Sequence, residues 1–256
     1  MPPLRGVLYK AMARKVNAPA GRFLFFAHGI IKSISCINLQ SSRSKRLSWN
    51  SGGDEDMNKT KTAYYHLPGL FEFYELYQVF LPLFREHREY FYDWCDIGSI
   101  YGAPTDCLWG GGRVEIGDRD PREILALMRE YGISARLTFS NSLLREEHLS
   151  DRKCNDLCAL LNVGEGIQNG VIVHSELLLE YLKKTYPGLY FVSSTTKVIT
   201  DFQQFTDEVG REDFRYVVPD FRLNKAFDKW NTLSEFQKDK VEFLCNECCR
   251  IGCKDR

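Results

Sequence analysis

A (β/α) barrel of the TIM type, truncated after about six βα units, is the fold the sequence predicts for residues 57–256. Three observations predict it. Short runs rich in β-branched and aromatic residues alternate with amphipathic stretches of helical period, an order that requires parallel pairing and right-handed crossovers. Each predicted strand ends in polar residues while its body is apolar. No GxGxxG follows the first strand after Leu70, and Gly110-Gly111-Gly112 comes too late and too irregularly to cradle a pyrophosphate, which favours a closed barrel over a doubly wound sheet. Complete barrels take roughly 250 residues for eight units, so six units ending at Arg256 read as a barrel without its last units.

Residues 1–56 show neither a 3.6 nor a 2.0 period, and Ser41-Ser42-Arg43-Ser44-Lys45-Arg46 followed by Ser51-Gly52-Gly53 reads as solvated chain. We read them as a disordered or spurious extension. A purine-rich ribosome-binding site encoding Gly52-Gly53 would make Met57 the initiator; a real basic tail is the alternative. After Pro68-Gly69, residues Leu70, Phe73, Tyr74, Tyr77, Phe80, Leu81 and Phe84 fall at helical spacing, with a kink expected at Pro82. That aromatic stripe reads as core.

Residues 96–100 form the first predicted strand. Asp120 caps a helix with Pro121 at its first position, Ile124, Leu127, Met128 and Tyr131 on one face, and Gly132 as its stop. Residues 133–139 form the second strand, and in the helix after it Cys154, Leu157, Cys158 and Leu161 recur at i, i+3, i+4 and i+7, which makes both cysteines core residues. A third strand spans 171–173, before a helix over 175–186 striped by Leu178, Tyr181, Leu182 and Thr185. The fourth spans 189–192, and Asp201 caps the next helix with Phe202, Phe205 and Val209 inward. After the fifth, 214–218, a helix carries Leu223, Ala226, Phe227 and Trp230; Ser234 and Gln237 then mark a capped turn before a sixth strand at 241–244.

Composition narrows the function. With 256 residues and 44% apolar content the chain can bury a large core. Its formal net charge is zero, but residues 1–56 hold nine Lys/Arg and three Asp/Glu, leaving 25 basic against 31 acidic residues. Such a body has no general attraction for nucleic acid or anionic lipid. No apolar run reaches the ~18–20 residues of a membrane span, and the apolar run at 23–31 lacks a following Ala-x-Ala cleavage site. Nine unevenly spread cysteines, in a chain too large to need staples, suit a reducing compartment, so a cytoplasmic location is expected.

In parallel barrels function gathers at the C-terminal edge of the strands. That rule selects Asn141, Ser175, Thr195 and Thr196 as substrate contacts and His174, Asp220 and Arg222 as catalytic candidates. Helix capping is the alternative for each hydroxyl or amide and for Asp220; a hydrogen-bonded structural role is the alternative for His174. The sharpest pattern is Cys245, Cys248, Cys249 and Cys253, a C-x2-C-C-x3-C run just beyond a predicted strand. Thiolates so gathered suit an iron–sulfur cluster or zinc. The alternative is structural or redox thiols.

Residues 98–256 resemble the collagenase-like peptidases of unassigned catalytic type, and in particular uncharacterised bacterial proteins related to them. The resemblance is carried by Val171-Ile172-Val173 with its trailing helix, by Tyr216-Val217-Val218-Pro219 followed by a helix, and by the cysteine-bearing segment 245–253. It implies a barrel and, as in several family members, an iron–sulfur cluster on four cysteines used in hydroxylating RNA bases or a quinone precursor. The family's ligands are more widely spaced than the cysteines here. Three readings follow: a metal- or iron–sulfur-dependent cytoplasmic enzyme acting on a small molecule or an RNA base, a peptidase-type hydrolase, or a non-enzymatic binding protein with structural thiols or zinc.

Overall fold

The structure is a computed structural model describing residues 62–110, 119–163 and 166–245. The expectations for residues 1–56, for Gly111-Gly112 and for Cys248, Cys249 and Cys253 lie outside the described residues.

The sheet runs β1 (Ala63–Pro68), β2 (Cys95–Gly102), β3 (Ser134–Phe139), β4 (Gly170–Val173), β5 (Tyr190–Ser193) and β6 (Tyr216–Val217), and its spatial order is its sequence order. The pairs from β2 to β6 are parallel, in the registers Ser99 with Ser134, Arg136 with Gly170, Gly170 with Tyr190, and Val192 with Tyr216. A doubly wound sheet reverses its order at a switch point; this one does not. Curvature follows from one contact. On a flat sheet β1 would lie on the order of 25–30 Å from the chain that bridges β6 at Val241, yet His66 Nε2 on β1 is 3.2 Å from Glu242 Oε1. The six parallel strands therefore form a curled half-barrel alternating with helices.

The connecting helices form where the apolar stripes predict them. In α2 (Pro121–Tyr131), Asp120 accepts from the Arg122 N–H and Gly132 closes the helix at φ 69°, a left-handed value that glycine adopts without strain. Its buried face is Ile124, Leu125 and Met128, so Leu125 replaces the expected Leu127. Cys154, Leu157, Cys158 and Leu161 are buried on α3 (Arg152–Asn162). Leu178, Leu179 and Leu182 are buried on α4 (Glu176–Thr185), as are Phe205 and Val209 on α5 (Phe202–Gly210). The outer face of the sheet, including Ile100, Leu137, Phe139, Val171 and Val173, is fully buried, while Arg136 occupies the inner face of β3.

The described residues fall into two compact units. One holds residues 62–63 and 75–96, including most of α1 (Tyr74–Glu86), which buries Leu76, Tyr77, Phe80, Leu81 and Phe84 and continues through Pro82 as one element. There the Phe84 and Phe91 rings meet edge-on at 4.7 Å, and the Arg88 guanidinium lies over Phe84. The other holds residues 64–74 and 97–245, the body of the half-barrel.

Three expectations are corrected. The predicted first helix begins at Tyr74, because Gly69 at φ 86° turns the chain and Leu70 to Phe73 pass through that turn. Strand β1 precedes it, unread in the sequence. The expected strand at 241–244 is a single parallel bridge, Val217 with Val241; beyond it Glu242 turns inward to Arg136 and the Leu244 carbonyl accepts from the Asn224 side chain, so the chain leaves the ladder. The helix expected after β6 is broken into a 3-10 turn (Phe221–Leu223) and the short α6 (Phe227–Trp230). Leu223 and Trp230 are buried and Phe227 is 68% exposed. The capped turn at Ser234 opens α7 (Glu235–Asp239) with a reciprocal Ser234–Gln237 capping box.

Candidate functional site

The C-terminal edge of the sheet brings several of the sequence-selected residues together. His174 follows β4 directly, and its backbone N–H donates to the Phe139 carbonyl at the end of β3. Its Nδ1 lies 2.8 Å from Thr196 Oγ1, which itself lies 2.8 Å from Ser194 Oγ, so a line of hydroxyls from the β5 end holds the imidazole of the β4 end. Thr195 Oγ1 donates to the Pro219 carbonyl beyond β6. Burial, and then the Lys197 ammonium, hold His174 below its ordinary 6.5, so it is neutral at neutral pH. Among the described residues none hydrogen-bonds to its Nε2.

Lys197 is itself pinned. Its Nζ lies 2.8 Å from Glu176 Oε1 and 2.7 Å from Glu208 Oε1, and Glu208 accepts a 2.5 Å hydrogen bond from Ser193 at the end of β5. Arg211 joins through Glu176, Glu208 and Asp213, and its hydrogen bonds, with those of Lys197, pull the Glu176 carboxyl down to about 2. This network ties the first turn of α4 to the last turn of α5 and fixes the charge beside His174.

The remaining selected residues cap turns or tie neighbouring loops. Asn141 Nδ2 donates to the Leu108 carbonyl and its Oδ1 accepts from the Leu143 N–H. Ser175 caps α4 through the Leu178 N–H at 3.4 Å. Asp220 is fully buried; its Oδ1 accepts from the Arg222 N–H at 3.0 Å and lies 2.8 Å from Arg222 Nε. Arg222 is about half exposed, so the buried carboxylate steadies a cation that solvent can reach. Of the cysteine run only Cys245 is described; it is exposed, four residues beyond the Val241 bridge, with Sγ 3.7 Å from the Phe243 carbonyl. Among the described residues no group of three or more His, Cys, Asp or Glu side chains could hold a metal ion.

The sequence reading missed a second polar constellation, inside the curl. Arg136 of β3 is buried, yet it grips Glu242 through Nη1 to Oε2 at 2.9 Å and Nη2 to Oε1 at 2.8 Å, donates from Nε to the Tyr190 hydroxyl at 2.7 Å, and packs against the Tyr190 and Tyr216 rings. His66 completes it, with Nδ1 2.7 Å from Ser99 Oγ and Nε2 3.2 Å from Glu242. Burial, with Arg136 adding to it, pushes His66 down to about 3, so the ring stays neutral; its Nδ1 and the Ser99 hydroxyl share a hydrogen bond, while Glu242 Oε1, 3.2 Å from Nε2, accepts none among the described residues. Burial also raises the Glu242 carboxyl, against the pull of Arg136. Serine, imidazole and carboxylate in line have the order of a hydrolytic triad, but Ser99 is 0% exposed and the carboxylate is already committed to a guanidinium. This constellation is a structural core. Its signal in the sequence is an arginine in the middle of the apolar run 133–139. Thr138, two residues nearer the C-terminal edge on the Arg136 face, holds a buried Oγ1 with no hydrogen-bond partner among the described residues.

No helix of the described residues is long and apolar enough to cross a membrane. No protein-family model, no curated protein and no solved structure matches the chain.

Proposed function

We propose that this chain is a metal-dependent barrel enzyme of the cytoplasm, of TIM type, that works at the C-terminal edge of its sheet. An iron–sulfur cluster, or zinc in its place, would be held by Cys245, Cys248, Cys249 and Cys253, and kinship with the collagenase-like peptidases is part of the proposal. The supporting observation is the exposed Cys245 thiol, next to Leu244, whose carbonyl accepts from the side chain of Asn224, two residues beyond Arg222 at the edge. Four thiols within nine residues are a soft donor set that fits either metal centre. A bound cluster supplies electron transfer, suited to redox or hydroxylation chemistry on a small molecule or an RNA base; zinc supplies a Lewis acid.

The chain's own groups would do the rest. Neutral His174 accepts a proton at Nε2 while Thr196 fixes its ring, and Arg222, steadied by Asp220, pairs with an anionic group of the substrate. The test is metal content and a visible spectrum on anaerobically purified protein. Iron and sulfide with charge-transfer absorption that bleaches in air are expected, with bound metal reduced in Cys245→Ser and Cys248→Ser. Metal-free, colourless protein would retire the proposal.

A peptidase-type hydrolase is the second reading, favoured by the Thr196 hydroxyl at 2.8 Å from the His174 imidazole, a nucleophile–base pair 22 residues apart in sequence. Cleavage of a peptide library, lost in both Thr196→Val and His174→Ala, would support it. Absence of cleavage, together with redox-silent zinc, leaves a non-enzymatic binding protein.

A further inference from the structure

We propose that Cys107 and Cys154 form a redox-active dithiol that a small peroxide converts reversibly to an intramolecular disulfide. Cys107 lies in the loop after β2, and Cys154 lies in the first turn of α3, 47 residues later. Both are free thiols, and their sulfurs are 3.3 Å apart. A disulfide needs about 2.05 Å between sulfurs, so roughly an ångström of closure suffices. One cap fixes the Cys154 segment and two tethers hold the two segments face to face. Asp151 caps the Cys154 N–H at 2.8 Å, the Lys153 ammonium donates to the Thr105 carbonyl at 2.6 Å, and the Trp109 indole donates to the His148 carbonyl at 2.8 Å.

The two thiols are chemically unequal. The hydrogen bond between the two sulfurs, with the backbone of Gly110 and Trp109 nearby, holds Cys107 below its ordinary range, and that same contact, with burial, holds Cys154 above its own. Thiolate therefore forms first on Cys107. Exposure runs in the same sense: Cys107 is 7% exposed and Cys154 is not exposed at all. So narrow an opening admits hydrogen peroxide more readily than a bulky disulfide. Cys158, one helical turn beyond Cys154, is buried and pushed up by that burial, and takes no part.

The steps balance. The Cys107 thiolate attacks one peroxide oxygen, the O–O bond breaks, and a sulfenic acid forms with release of hydroxide. The Cys154 sulfur, losing its proton to that hydroxide, then attacks the Cys107 sulfur; an S–S bond forms, the S–O bond breaks and hydroxide leaves, taking up a proton as water. Two thiols and one peroxide give one disulfide and two waters. The closure would reach the sheet edge, because the Leu108 carbonyl accepts from the Asn141 side chain and the Trp109 carbonyl accepts from the Asn141 N–H. This inference does not depend on the metal reading above.

The experiment uses the full chain, reduced, freed of reductant and exposed to equimolar hydrogen peroxide, then alkylated under denaturing conditions, digested and analysed by mass spectrometry. Peptides joined through Cys107 and Cys154, two hydrogens lighter than the thiol pair and reopened by dithiothreitol, are expected, with a rise in Tm of several degrees in the oxidised protein. Cys158→Ala should form the same bond. In Cys154→Ser, dimedone should trap a sulfenic acid on Cys107. The proposal is overturned if both thiols remain alkylatable while exposed Cys245 is oxidised, if the bond joins Cys154 to Cys158, or if oxidised glutathione forms the bond faster than peroxide.

Discussion

The polar groups inside the curl and those at the C-terminal edge sit on the same strands but differ in what they hold. Inside, Arg136 pairs with Glu242 across 106 residues, donates to Tyr190 across 54, and His66 meets Ser99 across 33. At the edge, Ser175 reaches Leu178, Asn141 reaches Leu143 and Asp220 reaches Arg222, two or three residues away. The interior groups fix how the strands curl; most edge groups only shape the next turn. The exceptions at the edge are Asn141 with the Leu108 carbonyl, His174 with Thr196 and Thr195 with the Pro219 carbonyl, which link distant segments of the edge. Buried charge is spent on the fold, and exposed polar groups remain available for chemistry.

The contrast breaks most visibly at Arg136. Arg136→Ala strands the Glu242 carboxylate and should destabilise the protein by about 3–5 kcal/mol, measured by urea unfolding; a change below about 1 kcal/mol would mean that water already reaches the interior. Gly170→Ala should cost about 1–3 kcal/mol, because its new Cβ would lie 2.5 Å from a Tyr190 ring carbon and push the ring off Arg136; an unchanged urea midpoint would show that the ring can yield.

The pH dependence sharpens the contrast further. With a folded value near 3 against 6.5, His66 takes up a proton in the unfolded chain first, so its contribution to stability is complete above about pH 6.5 and is lost as pH falls toward 3. It should account for about 2 kcal/mol between pH 7 and pH 5, a slope that His66→Gln abolishes; the same slope in the variant would exclude His66 as its source. At the outer surface, Asp201→Ala removes only the cap on the Gln204 N–H and should cost about 1 kcal/mol; a loss as large as that of Arg136→Ala would erase the distinction.

Much of the helix pattern was legible because period and capping are local. Asp120, Ser175, Asp201 and Ser234 all cap where the sequence places them. Strands 133–139 and 171–173 were legible because they are buried on their outer face and rich in branched residues. Strand β1 was not, since Ala63–Pro68 is mostly exposed or half-buried and its one informative residue, His66, acquires meaning only from Glu242, 176 positions on. The expected strand at 241–244 failed for the same reason, because Glu242 is drawn inward by Arg136. At the edge, the hydroxyls and His174 could be placed by the rule for parallel strands, but no spacing rule links His174 to Thr196, and none links Cys107 to Cys154.

The most direct measurement is a nitrogen-detected NMR titration of the histidines in the folded protein. His66 should remain neutral down to about pH 4, and His174 should titrate below 6.5. Both rings titrating together near 6.5 would contradict the division between a dry, committed interior and a reachable edge.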